Sequence, residues 1–537
     1  MATPIRKRKW TLVLLAVILL VLISVAALIG VLRKDSTEQE PTTQPTTQAT
    51  TQPEPSETTV PTTRPVETTQ PTTQPAETTI PTTQPEETTQ PTTEPMETTP
   101  PTTQPVETTP PTTEPDEGAA VTPDYGEYIN VGYGYIAEII NYSAETFNGK
   151  TKDDYTAPIR NYLPAGTVDY ASTKIVSNST MDYVLLRCGR RVYLEKSNKP
   201  STTKVPVVEC YYGTLPDHNE VGFADMFRED HYTILTLDVL WKAPFYFDIL
   251  PQEYNAPSHR DYTIDSFTAE YIDITFCYAT VFEGEVQIPE DDKLFASAKV
   301  IQNESDCTLR LYLKKTGGFY GYDSYYNEAG QLCFKFLNPV SASKTSENRY
   351  GADLSGIRIF IDVGHGGLDG GKSVKYDGKS VEEADLNLKV AKALQKELES
   401  MGATVILNRT DDSRINADDR VRQFKEANAD LCIAIHHNSD SGVGTAKGLL
   451  VCYSTPMSHN IAQLMYKKNV NAGIYRANVI DWHYYFVAKQ TDCPVVLMEC
   501  GFMSNTKDLE DMLSSSITEK KAVAMAEAVA TYFLKLK

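Results

Sequence analysis

The spacing of apolar and polar positions changes along the chain, and each change marks a segment. Trp10 to Leu32 is an unbroken run of 23 residues without a charge, and ~20 apolar residues are what an α-helix needs to cross a bilayer. From Pro41 to about Glu117 apolar positions almost vanish, replaced by a ten-residue repeat (PTTRPVETTQ, PTTQPAETTI, PTTQPEETTQ, PTTEPMETTP). That tract cannot bury a core, and its regular prolines predict an extended, semi-rigid chain. Between about Asp124 and Tyr350 the runs turn short, aromatic and period-two, as in "YTILTLDVLW", "YIDITFCYATVFEGEVQI" and "CTLRLYLKK". Strands separated by turn clusters describe them better than helices do.

The remaining residues alternate between two periods. Strands are predicted over Ile357 to Val363, Thr404 to Asn408, Leu431 to Ile435, Gly448 to Tyr453 and Val495 to Met498. Helices are predicted over Glu382 to Met401, Asn416 to Ala427 and His459 to Asn471, with one or two more between Lys507 and Leu536. Such alternation argues for an α/β domain with a doubly wound, mostly parallel sheet, whose ligands sit at the carboxyl ends of the strands. The predicted organisation is an N-terminus (1–9), a transmembrane anchor (10–32), a Thr/Pro/Glu-rich disordered linker (33–123), a mainly β region (124–350) and the α/β domain (355–537).

Charge refines this picture. The net charge of −21 argues against a nucleic-acid partner. Residues 35–120 hold 15 acidic side chains and one Arg, or −14, whereas residues 355–537 hold 23 acidic against 22 basic. Most of the acidity therefore belongs to the linker, which at ~3.1 Å per residue could reach on the order of 240 Å. Arg6, Lys7, Arg8 and Lys9 outweigh Arg33 and Lys34 across the apolar run, which places the short N-terminus in the cytoplasm and everything else outside. The run exceeds the ~7–15 residues of a cleaved signal-peptide core, so a retained anchor is expected. The nine cysteines are an odd number, and Cys432, Cys452, Cys493 and Cys500 lie in or beside predicted strands, where reduced buried thiols are the ordinary expectation. The tyrosines of "GGFYGYDSYYNEAG" are expected to pack in the β core rather than stack on sugars.

Candidate chemistry gathers at the predicted carboxyl ends. The strand in "IFIDVGHGGLDGG" breaks into glycines around His365; His436 follows "LCIAI", Glu499 follows "PVVLM", and Glu383 opens the first helix. Two imidazoles and two carboxylates thus converge from four segments on one rim. Two His and one Glu supply three zinc ligands and leave a fourth position open for water, while the other carboxylate serves as general base.

This segment resembles the zinc-dependent N-acetylmuramoyl-L-alanine amidases of the type-3 family, on the strength of "IFIDVGHGGLDGG", "EADLNLKVAKAL", "VILNRTDD", "RVRQFKEANAD", "AIHHNS" and "PVVLMECGFMSN". The resemblance implies a peptidoglycan hydrolase that cleaves the bond between N-acetylmuramic acid and L-alanine. It implies one Zn²⁺ held by His365, Glu383 and His436, with Glu499 catalytic; Glu383 is preferred to Glu382 because the family's Glu stands four residues before its Asn, here Asn387. Asn438, Arg409 and Arg420 match further family positions and are candidate substrate contacts. The chain departs from the family in a longer loop between His365 and Glu383, and in His437, where the family commonly carries a small residue or Cys. Period-two alternation turns His437 away from the face that presents His436. The expected partners are peptidoglycan and the cytoplasmic membrane, with no nucleic acid and no protein partner inferable. The β region is a candidate wall-targeting module, and the competing reading of the whole is an inactive peptidoglycan-binding or hydrolase-activating envelope protein.

Overall fold

The computed structural model describes residues 134–141, 144–148, 161–173, 175–177, 182–197, 204–255, 263–440, 444–475, 477–482 and 485–536. The predicted N-terminus (1–9), membrane helix (10–32) and linker (33–123) lie outside the described residues. Among those described, no helix is long and apolar enough to cross a membrane.

Residues 355–537 form an α/β domain. In chain order its elements are β1 (Arg358–Val363), β2 (Ser373–Tyr376), β3 (Lys379–Glu382), α1 (Glu383–Glu399), β4 (Thr404–Leu407), α2 (Ala417–Glu426), β5 (Leu431–Asn438), β6 (Leu449–Tyr453), α3 (His459–Asn471), β7 (Asn478–Trp482), β8 (Val495–Phe502), α4 (Thr506–Leu513) and α5 (Ser515–Lys535). The six-stranded sheet has the order β4-β1-β5-β8-β6-β7. The first four of these strands run parallel. β6 is antiparallel to β8, and β7 follows β6 in parallel. The mostly parallel expectation therefore holds for the centre of the sheet, while β7 and the β2–β3 hairpin are additions that the hydrophobic pattern did not announce.

The central strands read as continuous apolar runs because both faces are covered: Ile359, Phe360 and Ile361 of β1 and Leu431 to Ile435 of β5 are all buried. On α1 the buried Leu386, Val390, Leu394 and Leu398 recur every four residues and so form one stripe. α1 and α3 both pack on α5, and Phe424 of α2 meets Phe360 edge to face at 5.8 Å. Asn416 caps α2, its side chain accepting from Asp419 N at 2.8 Å. The β2–β3 hairpin is seated on a small second core, with Val374, Tyr376 and Val381 against Leu386, Met503, Leu509 and Met512.

The preceding region is all β among its described residues. A five-stranded sheet (including Tyr232–Val239, Leu332–Leu337 and Tyr322–Tyr326) and a four-stranded sheet (including Phe245–Leu250 and Tyr271–Cys277) meet through aromatic contacts. Phe247 stacks on Tyr322 with centroids 3.6 Å apart, and Phe295 meets Phe336 at 5.0 Å. Tyr320 and Tyr322 are buried, so these two tyrosines serve packing. All nine cysteines are free thiols.

One apolar core runs through this β region and the α/β domain without interruption at residues 350–355. Polar contacts join them at the amino ends of three strands. Asp430, just before β5, accepts from Arg358 N of β1 at 2.8 Å and pairs with His231 Nδ1 at 2.7 Å. Tyr322 N donates to Thr491 O at 2.6 Å, ahead of β8. Lys425 Nζ lies 2.7 Å from Asp323 and 2.9 Å from Asp492. Lys425→Met would leave two half-buried carboxylates facing each other. A loss of roughly 1–3 kcal/mol in urea-unfolding free energy is expected, between the values for breaking an exposed and a fully buried pair.

Candidate metal centre and catalytic carboxylate

β1 is followed by Gly364 and His365, and His365 takes a left-handed backbone with φ 59°, a conformation for which His is among the better tolerated side chains. β5 carries His436 immediately after its apolar run, Glu383 opens α1, and Glu499 lies in β8 directly opposite His436 in the register. All four residues sit at the carboxyl edge of the sheet. Gly364 is required by close approach: a Cβ there would overlap the His436 imidazole.

Glu383 is the hub. Its Oε1 lies 3.2 Å from His365 Nε2 and 3.1 Å from His436 Nδ1. The same oxygen accepts from His437 N at 3.2 Å, and Oε2 accepts from Lys372 N at 3.0 Å. Ligand atoms of His365, Glu383 and His436 all fall within 4.8 Å of one another. Burial opposes the Glu383 charge, yet the two imidazoles overcome it and hold this carboxyl well below the usual range. Burial also pulls the His365 imidazole toward neutrality, and Glu383 with Asp369 outweighs it, so its pKa is raised. His365 Nδ1 faces Asp369 Oδ1 at 3.1 Å. Both ring nitrogens face carboxylates, which only accept; with a cation in place of the proton between Nε2 and Glu383, Asp369 would hold the remaining proton on Nδ1 and leave the Nε2 lone pair to the metal. A buried carboxylate facing two imidazole nitrogens needs positive charge between them, and a divalent cation on the three residues meets that need.

Glu499 is 7% exposed, and its Oε2 is buried without a hydrogen-bond partner. Burial pushes its carboxyl up to about 7; His436 and His365 pull the other way, and Glu383 adds to the rise. It is a candidate proton acceptor beside a candidate cation site.

The other predicted residues are placed differently. Arg409 is 3% exposed and points inward, its guanidinium donating to the carbonyls of Val363, Gly364, Ala384 and Asp411. Arg420 binds Asp362 Oδ1 at 2.6 Å, Val363 O at 2.7 Å and His365 O at 2.9 Å. Both arginines, candidate substrate contacts by the family resemblance, bind the carbonyls of residues 363–365 that lead into and include His365. The Asn438 side chain accepts from Ser439 N at 2.7 Å. His437 is buried and stands outside the three-residue group, with Nδ1 2.7 Å from Asn387 Oδ1. Asp369 went unnoticed in the sequence, although its place four residues after His365 was the available signal.

An α/β sheet with an anionic residue between two imidazoles at its carboxyl edge, and a buried glutamate beside them, fits a hydrolase. Residues 359–531 match the family described as N-acetylmuramoyl-L-alanine amidase. The probable cell wall amidase LytH of Staphylococcus aureus is 31% identical over 215 residues, which are 39% of this chain and 69% of that protein. Among solved structures, the catalytic domain of CwlV from Bacillus (Paenibacillus) polymyxa var. colistinus is 26% identical, covering 34% of this chain and 99% of that one with a TM-score of 0.31. An N-acetylmuramoyl-L-alanine amidase from Clostridium difficile 630 is 28% identical, covering 34% of this chain and 97% of that one with a TM-score of 0.32. The chain belongs to the N-acetylmuramoyl-L-alanine amidase family. It is a peptidoglycan hydrolase acting on the amide between N-acetylmuramic acid and L-alanine.

Because nothing larger than hydrogen fits beside His436, Gly364→Ala should displace that imidazole. A shift near 1 Å lowers turnover by about 100-fold, measurable as release of soluble stem peptide from purified sacculi.

Proposed function

We propose that the protein cleaves the muramyl amide with a single Zn²⁺ bound by His365, Glu383 and His436, and with Glu499 moving the protons. One observation carries the reading: three ligand-type side chains from three distant segments meet within 4.8 Å. The orphaned, buried Oε2 of Glu499 beside them supports it further. Two His and one carboxylate are a donor set suited to zinc with one position left open.

When bound, Zn²⁺ supplies a Lewis acid that makes water easier to deprotonate and stabilises negative charge on a carbonyl oxygen. Glu499 takes a proton from the attacking water, and its raised affinity for that proton suits a group that must hold it and then let it go. As the C–N bond breaks, Glu499 hands the proton to the nitrogen of the leaving L-alanine. Asp369 keeps His365 in the tautomer that offers Nε2, while Arg409 and Arg420 fix the backbone that carries it. The products are a glycan free of stem peptide at that muramic acid and a peptide with a new amino terminus.

The site is proposed to work outside a cytoplasmic membrane that holds the chain through residues 10–32, at the end of the acidic linker. The 23-residue apolar run preceded by four basic residues supports that topology.

Four outcomes test the mechanism. Glu499→Gln should lower kcat by about 10²–10⁴-fold without loss of zinc. The base must be deprotonated, so wild-type kcat/KM should fall as pH drops through the Glu499 pKa; a bound cation places that limb below 7, and the Gln variant should lack it. Chelation should abolish turnover, with Zn²⁺ restoring it. At 100 times its Kd, zinc should also stabilise the fold by about 2.7 kcal/mol in thermal unfolding.

A further inference from the structure

The buried imidazole next to the candidate ligand His436 takes no part in the chemistry described so far. Its surroundings form a closed chain of hydrogen bonds that ends on Glu383. Asn387, one turn along α1 from Glu383, is fully buried. Its Nδ2 lies 3.1 Å from Gly364 O and 3.4 Å from Glu383 Oε1. Both of those oxygens are pure acceptors, so the amide nitrogen must face them and Oδ1 must face the other way. Oδ1 lies 2.7 Å from His437 Nδ1. An amide oxygen cannot donate, so His437 Nδ1 carries the hydrogen. The other ring nitrogen, Nε2, is buried without a partner. The His437 backbone N–H reaches the same Glu383 oxygen at 3.2 Å. One residue therefore steers Glu383 Oε1 twice, directly through its amide and indirectly through Asn387.

We propose that His437 is a positioning residue for the metal site: its Nδ1–H fixes the orientation of the Asn387 amide, which in turn holds Glu383 turned toward His365 and His436. An apolar or small side chain at 437 leaves the buried Asn387 Oδ1 without its donor and removes one of the three contacts that fix the amide. Inversion would aim an amide oxygen at the Glu383 carboxylate and at Gly364 O, two electrostatic repulsions in a dry site. The role differs from ligation, because His437 stands outside the group of ligand atoms. This inference rests on the reading of Glu383 as a zinc ligand, and its test separates the two.

The experiment measures the Zn²⁺ dissociation constant of the whole chain by competition with a chromophoric chelator, along with the thermal midpoint of the metal-free protein. His437→Asn puts an amide N–H where Nδ1 stands, whereas His437→Gln puts its amide near Nε2 and His437→Leu offers no donor. Loss of a hydrogen-bond partner behind a ligand weakens metal binding by about 10–100-fold. The Leu and Gln variants should show that weakening, and the Asn variant should bind within about threefold of wild type at a similar metal-free midpoint. If Leu does not fold, the contrast between Asn and Gln decides. Equal zinc affinity in wild type, Asn and Gln overturns the proposal. His365→Ala serves as control: zinc affinity unchanged in that variant would overturn the ligand assignment itself, independently of His437.

Discussion

A negative charge enclosed in protein is the constraint around which this domain is arranged. Glu383 is 6% exposed, and it stays ionised only because two imidazoles, two backbone amides and one side-chain amide face it. Each of those groups comes with its own demands. His365 needs Asp369 behind it and a left-handed backbone beneath it, and His436 needs the empty space at Gly364. Arg409 and Arg420, themselves largely buried, secure the carbonyls that the turn at His365 would otherwise leave bare. The requirements of one carboxylate thus spread through β1, β5 and α1.

The same logic places stability and chemistry at opposite edges of one sheet. At the amino ends of β1, β5 and β8, ion pairs and backbone bonds tie the β region to the sheet. At the carboxyl ends of these same strands stand His365, His436 and Glu499. The β region is therefore packed into the body of the enzyme, sharing its core, and forms a buttress under the catalytic strands. Rigid strands pinned at one end deliver side chains at the other with little positional freedom, which a multi-residue site demands.

Much of this was legible in the sequence, and the reasons are specific. Central strands such as "LCIAI" are apolar runs bounded by turn residues, and the polar residue ending each run lies at the rim, so the meeting of His365, His436 and Glu499 followed from topology, whereas the choice of Glu383 over Glu382 came from the family resemblance. What stayed hidden depends on direction or on the partner's surface. Arg409 and Arg420 were legible only as matches to family positions, and their hydrogen bonds to the carbonyls around His365 depend on how the fold turns them. β7 is short and lies at the sheet edge, where a strand needs little apolar patterning. The β2–β3 hairpin did carry a signal, "KYDGKS", in which Asp377 and Gly378 take φ of 47° and 75°. A two-residue Asp-Gly loop with both φ positive is the favoured hairpin connection, but the flanking residues are too polar to attract notice.

That hairpin changes the character of the segment between His365 and Glu383. Its strands are paired from Ser373 with Glu382 to Tyr376 with Lys379, and the backbone N–H of Glu383 is tied to Lys372 O at 2.8 Å. Its apolar side is pressed onto Met503 and Leu509, next to the strand that bears Glu499. A stretch that could have been a slack tether is thus a stiff strut, already set before any ion arrives. Occupancy then demands almost no ordering of the chain, and selectivity among cations falls to the shape of a cradle that cannot adjust itself to a poor fit.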